Sequence, residues 1–201
     1  MGARSGEPEA SEAIERVRAQ AYALLAALLA RPPSAELLAR LAGLPPDASA
    51  WGVALGALGA EARRASPAEA EREYGRLFVG LTRGELVPYA SFYLTGFLHD
   101  RPLVRLREDM ARLGVARRAG TAEPEDHIAG VLEIMAGLID GRFGAASTEA
   151  QRGFHERHLA PWAPRFFRDL ERADAAKLYR PVGTLGRTLM DIEENAFALA
   201  D

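Results

Sequence analysis

The segment Gly120–Asp140, GTAEPEDHIAGVLEIMAGLID, sets Glu123, Glu125, Asp126 and His127 directly ahead of a periodic apolar run. Pro124 suits the first position of a helix, and carboxylates in a first turn suit the positive end of the helix dipole. Two readings follow. The residues make a well-capped helix start, with His127 at the edge of the buried stripe that begins at Ile128. Alternatively they form a small acidic mouth, because carboxylates beside an imidazole accept bidentate hydrogen bonds from a guanidinium. In that second reading Glu123 and Asp126 receive arginines, while His127 bonds a peptide carbonyl or holds a carboxylate in position.

A further set of candidates lies upstream. In EYGRLF, helical spacing puts Tyr74, Leu77 and Phe78 on one face, and PYASFY supplies Pro88, Tyr89, Ser91, Phe92 and Tyr93. Five of the thirteen Phe and Tyr residues fall between Tyr74 and Tyr93, split by a loop containing Gly and Pro. Aromatic residues at helical spacing ordinarily build core. Divided by a loop they can also line an apolar groove for a peptide, and the two roles are compatible. Trp51 and Trp162 stand outside this stretch.

Other chemistries find little support. The absence of cysteine excludes disulfides, iron–sulfur ligation and thiolate zinc sites, leaving any metal to four histidines and the carboxylates. A helical di-iron site needs two Glu-x-x-His pairs. HERH offers only His155 and His158 three apart, and Glu133 lies six residues past His127. No metal is therefore expected, with a carboxylate and histidine metal enzyme as the remote alternative. A net charge of −3, from 25 basic and 28 acidic residues, provides no broad positive field for nucleic acid. The apolar run AYALLAALLA, Ala21–Ala30, has the length of a secretory core, but Glu7, Glu9, Glu12 and Glu15 precede it and Arg31-Pro32-Pro33 follow. It reads as a buried helix, too short to span a bilayer, and a cytoplasmic protein is expected.

The elements that must hold these residues are almost all helical. Ser11–Ala30 carries Ile14, Val17, Ala21, Leu24, Leu25, Leu28 and Leu29 at three-four spacing. Helices follow near Ser34–Leu41 and Ser49–Ala65, and SPAE at Ser66–Glu69 is a capping box with proline at the first helical position, opening a helix that ends near Phe78. Further stripes cover Ala90–Leu98, Pro102–Leu113, the segment from Ile128 to Ile139, Thr148–Leu159, Trp162–Ala173 and Ala176–Phe197. No alternating β-branched run or hairpin turn is present. The spacing predicts a single-domain all-α bundle of about ten helices over residues 11–201, behind a polar tail at residues 1–10. Residues Gly114–Glu123 lose apolar periodicity and form the hinge connector, which would let the C-terminal helices exchange between two chains, so monomer or domain-swapped homodimer is expected.

Taken together, EYGRLFVG, PYASFY and EPEDHI in this order resemble the redox-enzyme maturation chaperones of the TorD, DmsD and NarJ superfamily. YALLAALLARPPS is similar to that family's first helix, and FHERHLAPWAPRFFRDLERA to its late His-Leu-x-Pro-Trp segment, so the likeness covers about Ala19 to Asp191. The resemblance implies an all-α fold with no enzymatic reaction and no cofactor of its own, which binds the twin-arginine signal peptide, the apo catalytic subunit, or both, of a molybdenum-cofactor oxidoreductase, of dimethyl-sulfoxide-reductase or formate-dehydrogenase type. By motif match it makes Leu77, Phe78, Pro88, Tyr89, Ser91, Tyr93, Glu123, Pro124, Asp126 and His127 peptide-binding or hinge positions. Two departures are evident. Members with well-defined pockets often place tryptophan in the aromatic cluster, and the guanine-nucleotide binding attributed to some members has no Gly-x-x-x-x-Gly-Lys loop here. A NarJ-like assembly factor for a non-exported subunit is the alternative within the same superfamily.

Overall fold

The computed structural model describes residues 6–80, 83–116, 123–144 and 147–199. They form α1 (Gly6–Ala30), α2 (Ala35–Ala42), α3 (Ala50–Arg64), α4 (Pro67–Tyr74), α5 (Ala90–Thr95), α6 (Arg101–Arg112), α7 (Ile128–Ile139), α8 (Thr148–His158), α9 (Ala163–Arg172) and α10 (Tyr179–Leu199). A π-helical turn, Gly75–Val79, continues α4. Among the described residues there is no strand, only isolated backbone bridges between Tyr89 and His127 and between Arg142 and Gly144. The all-helical class expected from periodicity is the class observed.

At the centre lies α7, in which ten of twelve residues are buried. A helix apolar all round belongs inside a bundle. It packs along α1, whose Tyr22, Leu25, Leu28 and Leu29 are buried in the core, while α9 and α10 form a second close pair. The closeness of that pair depends on glycine: a Cβ at Gly186 would lie 2.1 Å from the Phe167 ring, and one at Gly183 2.8 Å from the Phe167 carbonyl. Ile14 and Val17 depart from the expected core stripe, being 60% and 61% exposed. With 25 residues against 12, α1 is about 37 Å long and α7 about 18 Å, so the stripe outruns its partner. On those N-terminal turns the inward position belongs instead to Arg18, which is bonded through Nε and Nη2 (2.7 and 2.6 Å) to fully buried Glu193 of α10 and through Nη1 (3.1 Å) to Gln151 of α8.

Boundaries shift where caps decide them. The expected polar tail overlaps α1, which starts at Gly6 rather than Ser11. At its other limit α5 stops at Thr95 rather than Leu98, because Gly96 adopts a left-handed conformation (φ +82°) and closes the helix. The Ser66–Glu69 capping box is present as expected. Most of the Gly114–Glu123 connector, residues 117–122, lies outside the described residues.

Candidate functional site

The first wall of the site begins in the π-helical turn. Gly80 N–H bonds to Gly75 O (2.7 Å), and the widened turn leaves the carbonyls of Arg76 and Leu77 to accept from Glu85 (3.1 Å) and Leu86 (2.8 Å). The returning strand of loop passes so close that a Cβ at Gly84 would meet the Phe78 backbone at 2.5 Å. Leu77 is consequently buried outright, and Phe78 is half-buried between Tyr74 (ring centroids 5.0 Å) and Tyr179 (5.5 Å). Tyr74 donates to the Leu29 carbonyl at 3.2 Å. Burial, with the nearby Glu123 charge, raises its phenol to about 12.

The two loop motifs are zipped together. Ala90 N–H bonds to Asp126 O (3.0 Å) and Ile128 N–H to Pro88 O (2.8 Å), which sets Tyr89 opposite His127 in a two-residue antiparallel bridge. Asp126 is fully buried, and its Oδ2 accepts both the backbone N–H (2.9 Å) and the hydroxyl of Ser91 at the start of α5. Its Oδ1 has no hydrogen-bond partner among the described residues. This corrects the local expectation in two respects. Residues 124–127 form a turn rather than a first helical turn, because the peptide groups around Asp126 and His127 are spent on Pro88 and Ala90, and α7 starts only at Ile128. The Asp126 carboxylate, expected to face an incoming arginine, points inward as a cap for α5 across 35 residues of sequence.

His127 is the N-cap of α7. Its Nδ1 accepts from Ala129 N–H at 3.2 Å, so the neutral ring carries its proton on Nε2. Burial holds its pKa below the ordinary histidine value, against the pull of Glu123 and Asp126. Tyr89 packs edge-on against it (5.1 Å) and donates its hydroxyl to exposed Glu123. Burial and that bond push the Tyr89 phenol well up. Pro124 is half-buried in the turn. Glu125 is held by Arg107 Nε and Nη2 at 3.0 and 2.8 Å.

One turn along α5, Tyr93 packs against Trp162 (5.6 Å) and Phe166 (5.9 Å), donates to Asp169 Oδ2 (3.1 Å) and lies beneath Arg165 (5.7 Å). Phe92 lies beneath Arg83 (5.3 Å). Trp162, distant in sequence, is therefore part of the aromatic cluster. Beyond the left-handed Gly96 the surface turns apolar: Leu94, Phe97 and Leu98 are exposed, Phe97 at 73%.

Of the sequence candidates, Pro88, Tyr89, Ser91, Glu123, Pro124, Asp126 and His127 converge at the bridge, Phe92 and Tyr93 flank it, and Tyr74 and Phe78 stand behind it, with Leu77 in the core. Sequence reading missed Asp169, Arg165 and the Leu94–Leu98 strip. The arginine and aspartate stand four apart on one helix, a detectable pair. The strip was concealed by counting Leu98 as helix. It also missed Glu73, buried, whose carboxylate accepts the N–H groups of Lys177, Leu178 and Tyr179 (2.8, 3.2 and 2.8 Å) at the start of α10.

Among the described residues no group of His, Cys, Asp and Glu is arranged to hold a metal ion, and no helix is long and apolar enough to cross a membrane. Residues 44–168, more than half of the chain, match the family described as nitrate reductase delta subunit. The sequence is 29% identical over 143 residues to the chaperone protein TorD of Aliivibrio fischeri, covering 66% of each protein. It is 31% identical over 131 residues to TorD of Vibrio cholerae, covering 61% of this chain and 60% of that one. The chain thus spans 60% to 66% of the length of these relatives. A crystal structure from Archaeoglobus fulgidus, of a protein assigned to redox-enzyme maturation, superimposes with a TM-score of 0.59 at 18% identity, over 87% of this chain and 93% of that one.

Proposed function

Since the chain belongs to the nitrate reductase delta subunit family, we propose that it is a chaperone of redox-enzyme maturation rather than an enzyme. In this reading it binds, in the cytoplasm, the twin-arginine leader and apo form of a molybdenum-cofactor oxidoreductase subunit. Relatives that are 29% and 31% identical over 143 and 131 aligned residues are named as chaperones. The observation that carries the reading is the polarity of one short segment. A tyrosine and an exposed carboxylate, Tyr89 and Glu123, stand at the start of α5, and the exposed Leu94, Phe97 and Leu98 stand at its end. A leader of this type has the same order, a cationic end followed by an apolar stretch. Occupation of such a surface would shield the leader until cofactor loading is complete, and its reversibility would release it for export. Apolar and charged anchors each supply roughly 1–2 kcal/mol or more in peptide sites of this kind.

Isothermal titration with a synthetic leader, two arginines followed by an apolar stretch, tests this. Phe97→Ser and Glu123→Gln are each expected to weaken binding by roughly five- to tenfold, about 1 kcal/mol. Binding that is absent, or indifferent to replacement of both arginines by glutamine, overturns the leader reading. The match to a family described by a reductase subunit favours a second reading, an assembly factor that holds the body of a non-exported molybdoenzyme subunit. Capture of a leaderless apo subunit with no affinity for the leader would select it.

A further inference from the structure

Two tyrosines, Tyr89 at the N-cap of α5 and Tyr93 one turn into it, are built alike. Tyr93 N–H bonds to Tyr89 O at 3.1 Å, which closes the first turn of the helix and sets the two residues one turn apart. Each donates its hydroxyl to a carboxylate from a distant segment, Tyr89 to Glu123 and Tyr93 to Asp169, and each ring is braced from behind, by His127 and by Trp162. The Tyr93 phenol occupies one of the roughly four lone-pair sites of the Asp169 carboxylate. Asp169 keeps 38% of its side chain exposed.

The chain itself shows what fits the second pair. The Arg165 guanidinium carbon lies 5.7 Å over the Tyr93 ring, within cation–π range, yet its Nε stays 4.0 Å from Asp169 Oδ2, beyond hydrogen-bond length. A guanidinium is stacked on the aromatic face without the bidentate carboxylate bond that guanidinium groups form most strongly. Arg165 is itself 69% exposed and free to swing away. The other carboxylates nearby serve elsewhere, Asp126 as a buried cap and Glu125 on Arg107.

We propose that Tyr93 and Asp169 form a receptor for one arginine of the incoming peptide, with Arg165 as its in-chain placeholder, and that Tyr89 and Glu123 take the neighbouring arginine. The proposal rests on the leader-binding reading and extends it by naming which carboxylates meet which guanidinium groups and what must be displaced. Cβ atoms one helical turn apart are about 5–6 Å from each other, and adjacent residues of a peptide have Cα atoms about 3.8 Å apart. Long arginine side chains span that difference. An ammonium has neither the planar fork for Asp169 nor the flat face for Tyr93, so lysine is a poor substitute at this position.

The test uses the full chain with Trp51→Phe, leaving Trp162 beside Tyr93 as the fluorescent reporter. For the two-arginine leader, Asp169→Asn is expected to weaken binding roughly tenfold, the scale of one lost charge-assisted pair. Asp169→Glu should recover part of that loss. Arg165→Ala is expected to tighten binding severalfold, because the competitor is gone, an effect no purely structural role for an exposed arginine would produce. A leader with one arginine changed to lysine should bind weakly and respond little to Asp169→Asn. If the leader binds wild type but neither variant changes its affinity, the receptor is overturned and the chaperone reading stands. If no leader binds, the leader reading fails, and the arginyl-arginine amide decides the receptor separately. A Trp162 response that requires Asp169 and is absent with lysyl-lysine amide supports it, and no such response overturns it.

Discussion

The buried Asp126 carboxylate ties the turn before α7 to the first residues of α5 through two bonds to Ser91. The place of Asp126 in EPEDHI, together with the resemblance, groups it with Tyr89, Ser91 and His127, and the structure sets these residues side by side at the bridge. The direction of its carboxylate was not legible, because it follows from Pro88 and Ala90 pairing with Ile128 and Asp126, a contact between segments some 35 residues apart. Local spacing carries no record of such pairing. With both Ser91 bonds made to a buried carboxylate, Asp126→Ala should cost about 2–4 kcal/mol in urea unfolding, from two lost charge-assisted bonds and a stranded N–H. Under the proposed leader-binding function, affinity of the folded fraction for the leader should change less than about twofold. A large loss of affinity with unchanged stability would mean that the carboxylate turns outward to meet the peptide.

At the scale of elements, stripes and caps were legible and lengths were not. The Ser66 capping box and the apolar run of α7 declare themselves in sequence, because each is satisfied within a few residues. The start of α10 is different. Its leading N–H groups are met by Glu73, more than a hundred residues upstream, and Glu85 likewise accepts from Asp174 (2.6 Å) and Ala175 (3.1 Å) in the α9–α10 connection. Two carboxylates on either side of the π-helical turn therefore hold the α9–α10 pair against the front of the molecule. Glu73→Ala would leave three N–H groups without their acceptor in a largely buried place and should destabilise the protein by about 3 kcal/mol or more. Differential scanning calorimetry should show a broad fall in melting temperature; an unchanged transition would mean that water reaches and satisfies this helix start.

For the whole molecule, charge in the interior sets the response to acid. His127, His155 and His158 are all buried, and burial lowers the pKa of each below its unfolded value; for His158 the bond to Asp109 (2.6 Å) opposes the shift without reversing it. Below an unfolded pKa of about 6.5 the unfolded chain binds protons that the folded chain refuses. Stability is therefore full above that pH and falls as the solution is acidified, by up to about 1.4 kcal/mol per pH unit for each histidine until its folded pKa is reached. Urea midpoints should hold from pH 7.5 to about pH 6.5 and fall from there to pH 5.5, and His155→Gln should flatten the decline; a midpoint independent of pH would contradict the buried neutral state. The bond between Arg18 and Glu193 has a consequence in time. The two residues are 175 positions apart, and at about 5–20 residues per second a ribosome needs roughly 9–35 s to deliver the second after the first. Throughout that interval the first helix presents an arginine whose carboxylate has not yet been made. A nascent chain cannot close this end of its fold early: α1 and α10 are joined only after the last helix of the bundle has been made.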